Sequence, residues 1–201
     1  MEVRVRGNTV IPQSFLGRFS ILCAILRQIH LILQICYSTK ELRNLQPDVF
    51  FVDQLSAGIP LLRHFSPRTR VLFYCHFPDK LLAQRSTLIK EAYRIPFDWL
   101  ESWTTGASDV IVVNSRFTKG IFGDAFPGLK HRQPGVIYPC VSSTAEPKGV
   151  SKEPIWPDKK VFLSINRFER KKDVGLAIRA FAALDAAVRQ QARLVIAGKC
   201  R

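Results

Sequence analysis

Six short apolar runs punctuate this chain, and their spacing leaves few folds open. They are residues 48–53 (DVFFVD), 70–75 (RVLFYC), 109–113 (DVIVV), 135–138 (GVIY), 160–165 (KVFLSI) and 193–198 (RLVIAG). Each is rich in β-formers and too short for a helix, so each reads as a strand, the run at 160–165 as a buried one. Helical patterns fall between them: about 57–63, then 81–107 with a break at Pro96, then a helix ending near Phe122, then 174–184. Strand–helix alternation of this kind gives an α/β fold with parallel sheets. Such sheets carry their functional groups in the loops at the carboxyl ends of the strands.

The most informative of those loops is Asn166-Arg-Phe-Glu-Arg-Lys-Lys-Asp173. It joins the strand at 160–165 to a helix on which Val174, Ala177, Ile178, Phe181 and Leu184 recur at helical spacing, with Asp173 placed as the N-cap. The loop sets Arg167, Arg170, Lys171 and Lys172 beside a helix N-terminus, where free N–H groups and the macrodipole already favour anions. A phosphate or diphosphate is the natural guest, and a solvated basic loop is the alternative.

The chain as a whole is basic, with 30 Lys+Arg against 16 Asp+Glu and a net charge of +14, which favours anionic partners. No RNA- or DNA-binding signature accompanies the cations, and nucleic acid is not an expected partner. The five cysteines (Cys23, Cys36, Cys75, Cys140, Cys200) are scattered without a C-x-x-C pair, so neither a disulfide framework nor a metal site is expected. With no Asn-x-Ser/Thr acceptor, they point to a reducing, cytosol-facing location. There is no G-x-S-x-G elbow, Walker loop or G-x-G-x-x-G, which disfavours hydrolase and nucleoside-triphosphatase chemistry.

Residues 19–37 are strongly apolar, and Leu22, Leu26, Ile29, Leu33 and Cys36 fall on one helical face. Arg27, Gln28, His30 and Gln34 interrupt the run. The segment reads either as an amphipathic helix packed on the sheet or as an interfacial helix lying on a bilayer. Residues 142–158, rich in Pro, Ser and charge, read as a linker. The 44 or so residues after it make one βαβ unit, too little to cover both faces of a parallel sheet. The expectation is a chain that holds only the opening part of a second domain.

His76 follows the strand at 70–75 and can hydrogen-bond a hydroxyl or phosphate near neutral pH; a backbone-bonded strand cap is the alternative. Asp79, three residues on, is placed to orient it. Asn114 and Ser115 fill the equivalent loop one strand later, as substrate contacts or, for Ser115, a helix cap. Asp53 ends the strand at 48–53 and either touches an acceptor sugar or caps a helix.

Five strings carry a resemblance: Tyr74-Cys-His-Phe-Pro-Asp79, Pro96-Phe-Asp-Trp-Leu-Glu101, Thr104-Thr-Gly106, Val113-Asn-Ser-Arg-Phe-Thr118 and Ser164-Ile-Asn-Arg-Phe-Glu-Arg-Lys-Lys172. In this order, from about Ser14 to Gly198, the chain resembles the retaining family 4 glycosyltransferases. Within them it is most similar to the α-1,3/1,6-mannosyltransferases that extend dolichol-linked oligosaccharide for asparagine-linked glycosylation. The resemblance implies a GT-B architecture: an incomplete, acceptor-side Rossmann-like domain at 1–141 and the start of a nucleotide-sugar-binding domain at 159–201. It implies GDP-mannose as donor, dolichol pyrophosphate oligosaccharide as acceptor, no tightly bound cofactor or metal, and the cytosolic face of the endoplasmic reticulum membrane. Other mannosyltransferases of the pathway are implied as partners. By the family motif Arg167 and Lys172 hold the donor diphosphate, where two cations neutralise the departing nucleotide. His76 matches the histidine that contacts the transferred sugar, and residues 19–37 match a membrane-facing region.

Both ends depart from the family. Nothing before Phe19 matches its opening strand and glycine-rich loop, and no two glutamates have its Glu-x7-Glu spacing. Three readings therefore stand side by side: the α-1,3/1,6-mannosyltransferase, the related α-1,2-mannosyltransferase of the same pathway, and a truncated, inactive piece that binds a membrane or partner.

Overall fold

The computed structural model describes residues 3–15, 19–39, 41–83, 87–140 and 156–198. The chain divides into two compact units on either side of the 141/142 peptide. The linker segment, 142–158, lies outside the described residues as far as 155.

The first unit runs through α1 (Ser20–Leu33), a π-helical turn (Gln34–Ser38), α2 (Glu41–Leu45), β1 (Val49–Asp53), α3 (Ile59–Phe65), β2 (Arg70–Cys75), α4 (Asp79–Leu82), α5 (Leu88–Gly106), β3 (Val110–Val113), α6 (Arg116–Ala125) and β4 (Gly135–Val136). Its four strands pair in parallel in the order β1-β2-β3-β4. Asp53 lies opposite Tyr74, and Cys75 opposite Val113. The carboxyl ends of β1, β2 and β3 are therefore nearly level, and Gln54, His76 and Asn114 leave the sheet along one edge. Val71, Phe73 and Cys75 of β2 form the centre of the core with Ile32, Ile59, Val113, Phe122 and Phe126. The run at 135–138 contributes only two ladder residues, since Pro134 and Pro139 flank it and cannot donate to a neighbour.

Helix α1 packs on this unit through a face other than the stripe read from the sequence. Cys23, Ile25 and Ile32 are buried, whereas Leu22, Leu26, Leu33 and Tyr37 are exposed. Gln28 faces inward: its Nε2 donates to Leu55 O (2.6 Å) and its Oε1 accepts from Gly58 N (2.7 Å). A Cβ on Gly58 would collide with Ile32, so glycine lets the helix approach this closely. The helix is thus apolar on both sides. Among the described residues, Ser20–Ser38 is the one helix long and apolar enough to cross a membrane by length and composition.

The break expected at Pro96 does not occur, and α5 is continuous through it. Proline removes one bond of the helical ladder on a solvent-exposed stretch. The C-terminal half of the helix is meanwhile fixed by fully buried Thr104 and Thr105, which share hydrogen bonds with buried Ser56 (2.8 and 3.0 Å). On its outer face Trp99 and Trp103 stack with ring centroids 6.0 Å apart.

The second unit comprises β5 (Lys160–Ile165), a 3-10 turn (Arg170–Lys172), α7 (Val174–Ala182), α8 (Ala186–Gln190) and β6 (Ala192–Ala197). The strands pair in parallel from Lys160–Ala192 to Ile165–Ala197. β5 is not the buried strand the sequence suggests: Phe162, Leu163 and Ile165 are exposed, because α7, α8 and one neighbouring strand do not enclose it.

Candidate active-site edge

Two strand ends bring His76 and Asp53 together. Nε2 of His76 lies 2.9 Å from Asp53 Oδ1, with both side chains about half exposed. The Tyr74 ring meets the imidazole edge-on at 4.8 Å and stacks on Phe51 at 5.8 Å. The Tyr74 hydroxyl donates to Ile137 O (2.9 Å), which keeps that ring in place. A histidine backed by a carboxylate and an aromatic wall, open on its remaining side, is suited to hydrogen-bonding a sugar hydroxyl.

Asp79 does not orient His76. Its carboxylate accepts instead from Gln54 Nε2 (3.4 Å), and the same amide donates to Phe77 O (3.4 Å). Gln54 adopts φ 66°, a left-handed conformation uncommon for a residue with a side chain, and it immediately follows Asp53. The residue that holds the Asp79 segment from the other side is Glu101 of α5. Its Oε1 accepts from Asp79 N (2.7 Å) and its Oε2 from Lys80 N (2.9 Å). Burial pushes the Glu101 carboxyl up to about 7, with nearby Asp79 adding to the shift and the two amides opposing it. Burial likewise raises Asp79, and it pushes the Cys75 thiol up to about 12, which leaves that sulfur unreactive. Sequence reasoning missed both Gln54 and Glu101, although Glu101 closes one of the five strings quoted above.

At the end of β3, Ser115 is the N-cap of α6 and its Oγ accepts from Thr118 N (3.1 Å). Asn114 Oδ1 accepts from Thr118 Oγ1 (2.6 Å). Both side chains are half-buried, beside the edge that carries His76.

In the second unit, Asn166 N donates to Ala197 O (3.0 Å), which starts the basic loop level with the end of β6. Gly198 lies so close that a Cβ there would strike the Asn166 carbonyl. Arg167 Nη1 pairs with Glu169 Oε1 (3.1 Å), while the guanidinium stays more than half exposed. Arg170 and Lys172 lie in the 3-10 turn, both exposed; the side chain of Lys171 is outside the described set. Asp173 stands at the N-cap position of α7 without capping it. At φ 39° its carboxylate turns to Arg179 Nη2 (3.2 Å), and only its carbonyl accepts from Leu176 N. A cavity of about 310 Å³ opens beside this turn, lined by Phe168, Glu169, Arg170, Asp173, Val174 and Gly175. Among the described residues no three His, Cys, Asp or Glu side chains converge as a metal site would require.

The comparisons with known proteins fall on these same two units. Residues 16–144 match Glycosyltransferase Family 4, and residues 147–200 match Glycosyl transferases group 1. The chain is 54% identical over 207 residues to the "Alpha-1,3/1,6-mannosyltransferase alg-2" of Neurospora crassa, covering 98% of this chain and 44% of that protein. It is 50% identical to the "Alpha-1,3/1,6-mannosyltransferase ALG2" of Debaryomyces hansenii, covering 98% and 44%. It is 45% identical to its Saccharomyces cerevisiae namesake, covering 98% and 39%. The chain thus spans less than half the length of these curated relatives. Two α/β units with parallel sheets, under these two glycosyltransferase matches in this order, are the GT-B plan in part. The chain belongs to glycosyltransferase family 4.

Proposed function

We propose that this chain is part of an α-1,3/1,6-mannosyltransferase, which moves mannose from GDP-mannose to dolichol pyrophosphate oligosaccharide at the cytosolic face of the endoplasmic reticulum. The observation that carries the proposal is 54% identity to the Neurospora crassa mannosyltransferase along 98% of the chain. Identity at that level, continuous across both units, favours it over the α-1,2-mannosyltransferase of the same pathway.

The residues present suit the chemistry. Breaking the bond between the mannose anomeric carbon and the diphosphate leaves negative charge on departing GDP. Arg167 and Lys172 supply fixed positive charge for it, as electrostatic stabilisation that grows towards the transition state. Arg170 and Lys171 add to the local field. His76, backed by Asp53, hydrogen-bonds the transferred sugar, and Asn114 and Ser115 lie on the same edge for further contacts. The exposed Leu22, Leu26 and Leu33 of α1, with Tyr37 of the π-helical turn after it, rest on the bilayer that holds the acceptor lipid.

Transfer of radiolabelled mannose from GDP-mannose to the lipid-linked trisaccharide Man-GlcNAc2 tests the reading, in this chain and in an extended one. Arg167→Ala or Lys172→Ala should each lower turnover by about 10²–10³-fold. Unchanged turnover in both would remove the diphosphate role. A second reading, that the chain on its own is an inactive piece, is favoured by the exposed apolar surface of β5. It predicts no transfer by the 201-residue chain and turnover only in the extended protein. GDP binding to the short chain, read by calorimetry, separates a competent donor loop from an unfolded one.

A further inference from the structure

The segment carrying His76 has a weak point. Pro78 stands at the N-cap of α4 and makes no side-chain cap, so the first amides of that helix depend on a partner from elsewhere. That partner is Glu101, which gives one carboxylate oxygen to Asp79 N and the other to Lys80 N. Charge-assisted bonds of this kind are stronger than neutral ones, more so where water is scarce. Here the surroundings are a water-sized cavity lined by Ile21, Ile25, Phe97 and Leu100 together with Asp79 and Arg94. Glu101 is itself held firmly, since the buried hydroxyls of Ser56, Thr104 and Thr105 lock α5 to the turn after β1. We propose that Glu101 is the positioning residue of the His76 loop: its ionised carboxylate fixes the course of residues 76–80 and thereby the place of the imidazole. The catalytic part of this proposal rests on the reading of His76 as a sugar contact, whereas the clamp does not.

The clamp is pH-sensitive by construction. Around Glu101, α4 contributes Asp79 and Lys80, β2 contributes the Cys75 thiol, and α5 itself contributes Arg94, which faces Asp79. From α1 come only Ile21 and Ile25, and from the turn after β1 Leu55, Ser56 and Ala57. Protonation turns one accepting oxygen into a donor facing a donor, and glutamine at this position does the same with its NH2 group.

Amide hydrogen exchange on the whole chain, wild type against Glu101→Gln, is the test, with mannosyl transfer measured on the same proteins. At about pH 8 the substitution should speed exchange at Asp79 and Lys80 by roughly tenfold or more, while Val71 and Phe73 of β2 keep their protection. Turnover should fall by about tenfold with the KM for GDP-mannose unchanged. Equal loosening of β2, no loosening at 79–80, or local loosening with unaltered turnover would each overturn the positioning role. If neither protein transfers mannose, turnover is compared in the extended protein, whose inactivity as wild type would sink the functional reading, while exchange still decides the clamp. Should the variant not fold, wild-type protection at 79–80 must drop selectively as pH falls through about 7; protection that stays level refutes the proposal.

Discussion

At the scale of single residues, Asp53, which pairs with His76, and Glu101, which holds Asp79 and Lys80, differ in what they do to stability. Asp53 is exposed, and an exposed pair contributes at most about 1 kcal/mol. Asp53→Asn should therefore leave the melting temperature almost unmoved while lowering kcat/KM by about 10–100-fold, as the imidazole loses its anchor. Parallel melts and transfer assays check this. Glu101 is the reverse case, because its ordinary value of 4.5 rises to about 7 in the fold. The folded protein holds that proton more tightly than the unfolded chain. The resulting stabilisation is complete below about 4.5 and is lost as pH rises through about 7, a span worth up to roughly 3 kcal/mol. Asp79, also raised by burial, pushes in the same direction. Urea midpoints at about pH 5 and pH 8 should differ accordingly, and Glu101→Gln should remove most of the difference. Keeping a charge here despite that cost fits a group retained for placement rather than for stability.

At the scale of elements, the strands were legible and their surroundings were not. The runs at 48–53, 70–75, 109–113, 160–165 and 193–198 all appear as strands within a residue or so, because length and β-branching are local signals. The basic loop and the His76 loop lie where strand-end logic puts them. Glu101 was hidden because its partners are 22 and 21 positions earlier in sequence, and their meeting depends on how α5 packs. The exposed side of α1 was hidden for a similar reason: with apolar residues all round, periodicity cannot say which face meets the sheet. Pro96 misled because proline predicts a break only where nothing else holds the helix. Pro96→Ala should restore one backbone bond and raise stability by about 1–3 kcal/mol, read by denaturant unfolding. Ile32→Ala should cost about 2–5 kcal/mol, since that side chain is 1% exposed and seals α1 onto α3.

At the scale of the molecule, a net charge of +14 and an apolar helix face argue for a surface that is both fatty and anionic. Replacing Leu22, Leu26 and Leu33 together by serine should release the protein from vesicles containing acidic lipid. Each of these side chains is 37–40% exposed and otherwise packed, so the melting temperature should also fall, and vesicle binding is compared at a temperature where both proteins are folded. Co-sedimentation with vesicles at rising salt would separate the apolar from the electrostatic share. The stacked pair Trp99–Trp103 has a spectroscopic use. Rings 6.0 Å apart are close enough for their excited states to couple, so the difference in aromatic dichroism between wild type and Trp103→Phe reports the outer face of α5. The third tryptophan, Trp156, belongs to the second unit. Loss of the coupling therefore follows the first unit, and the difference in emission between wild type and Trp156→Phe follows the second.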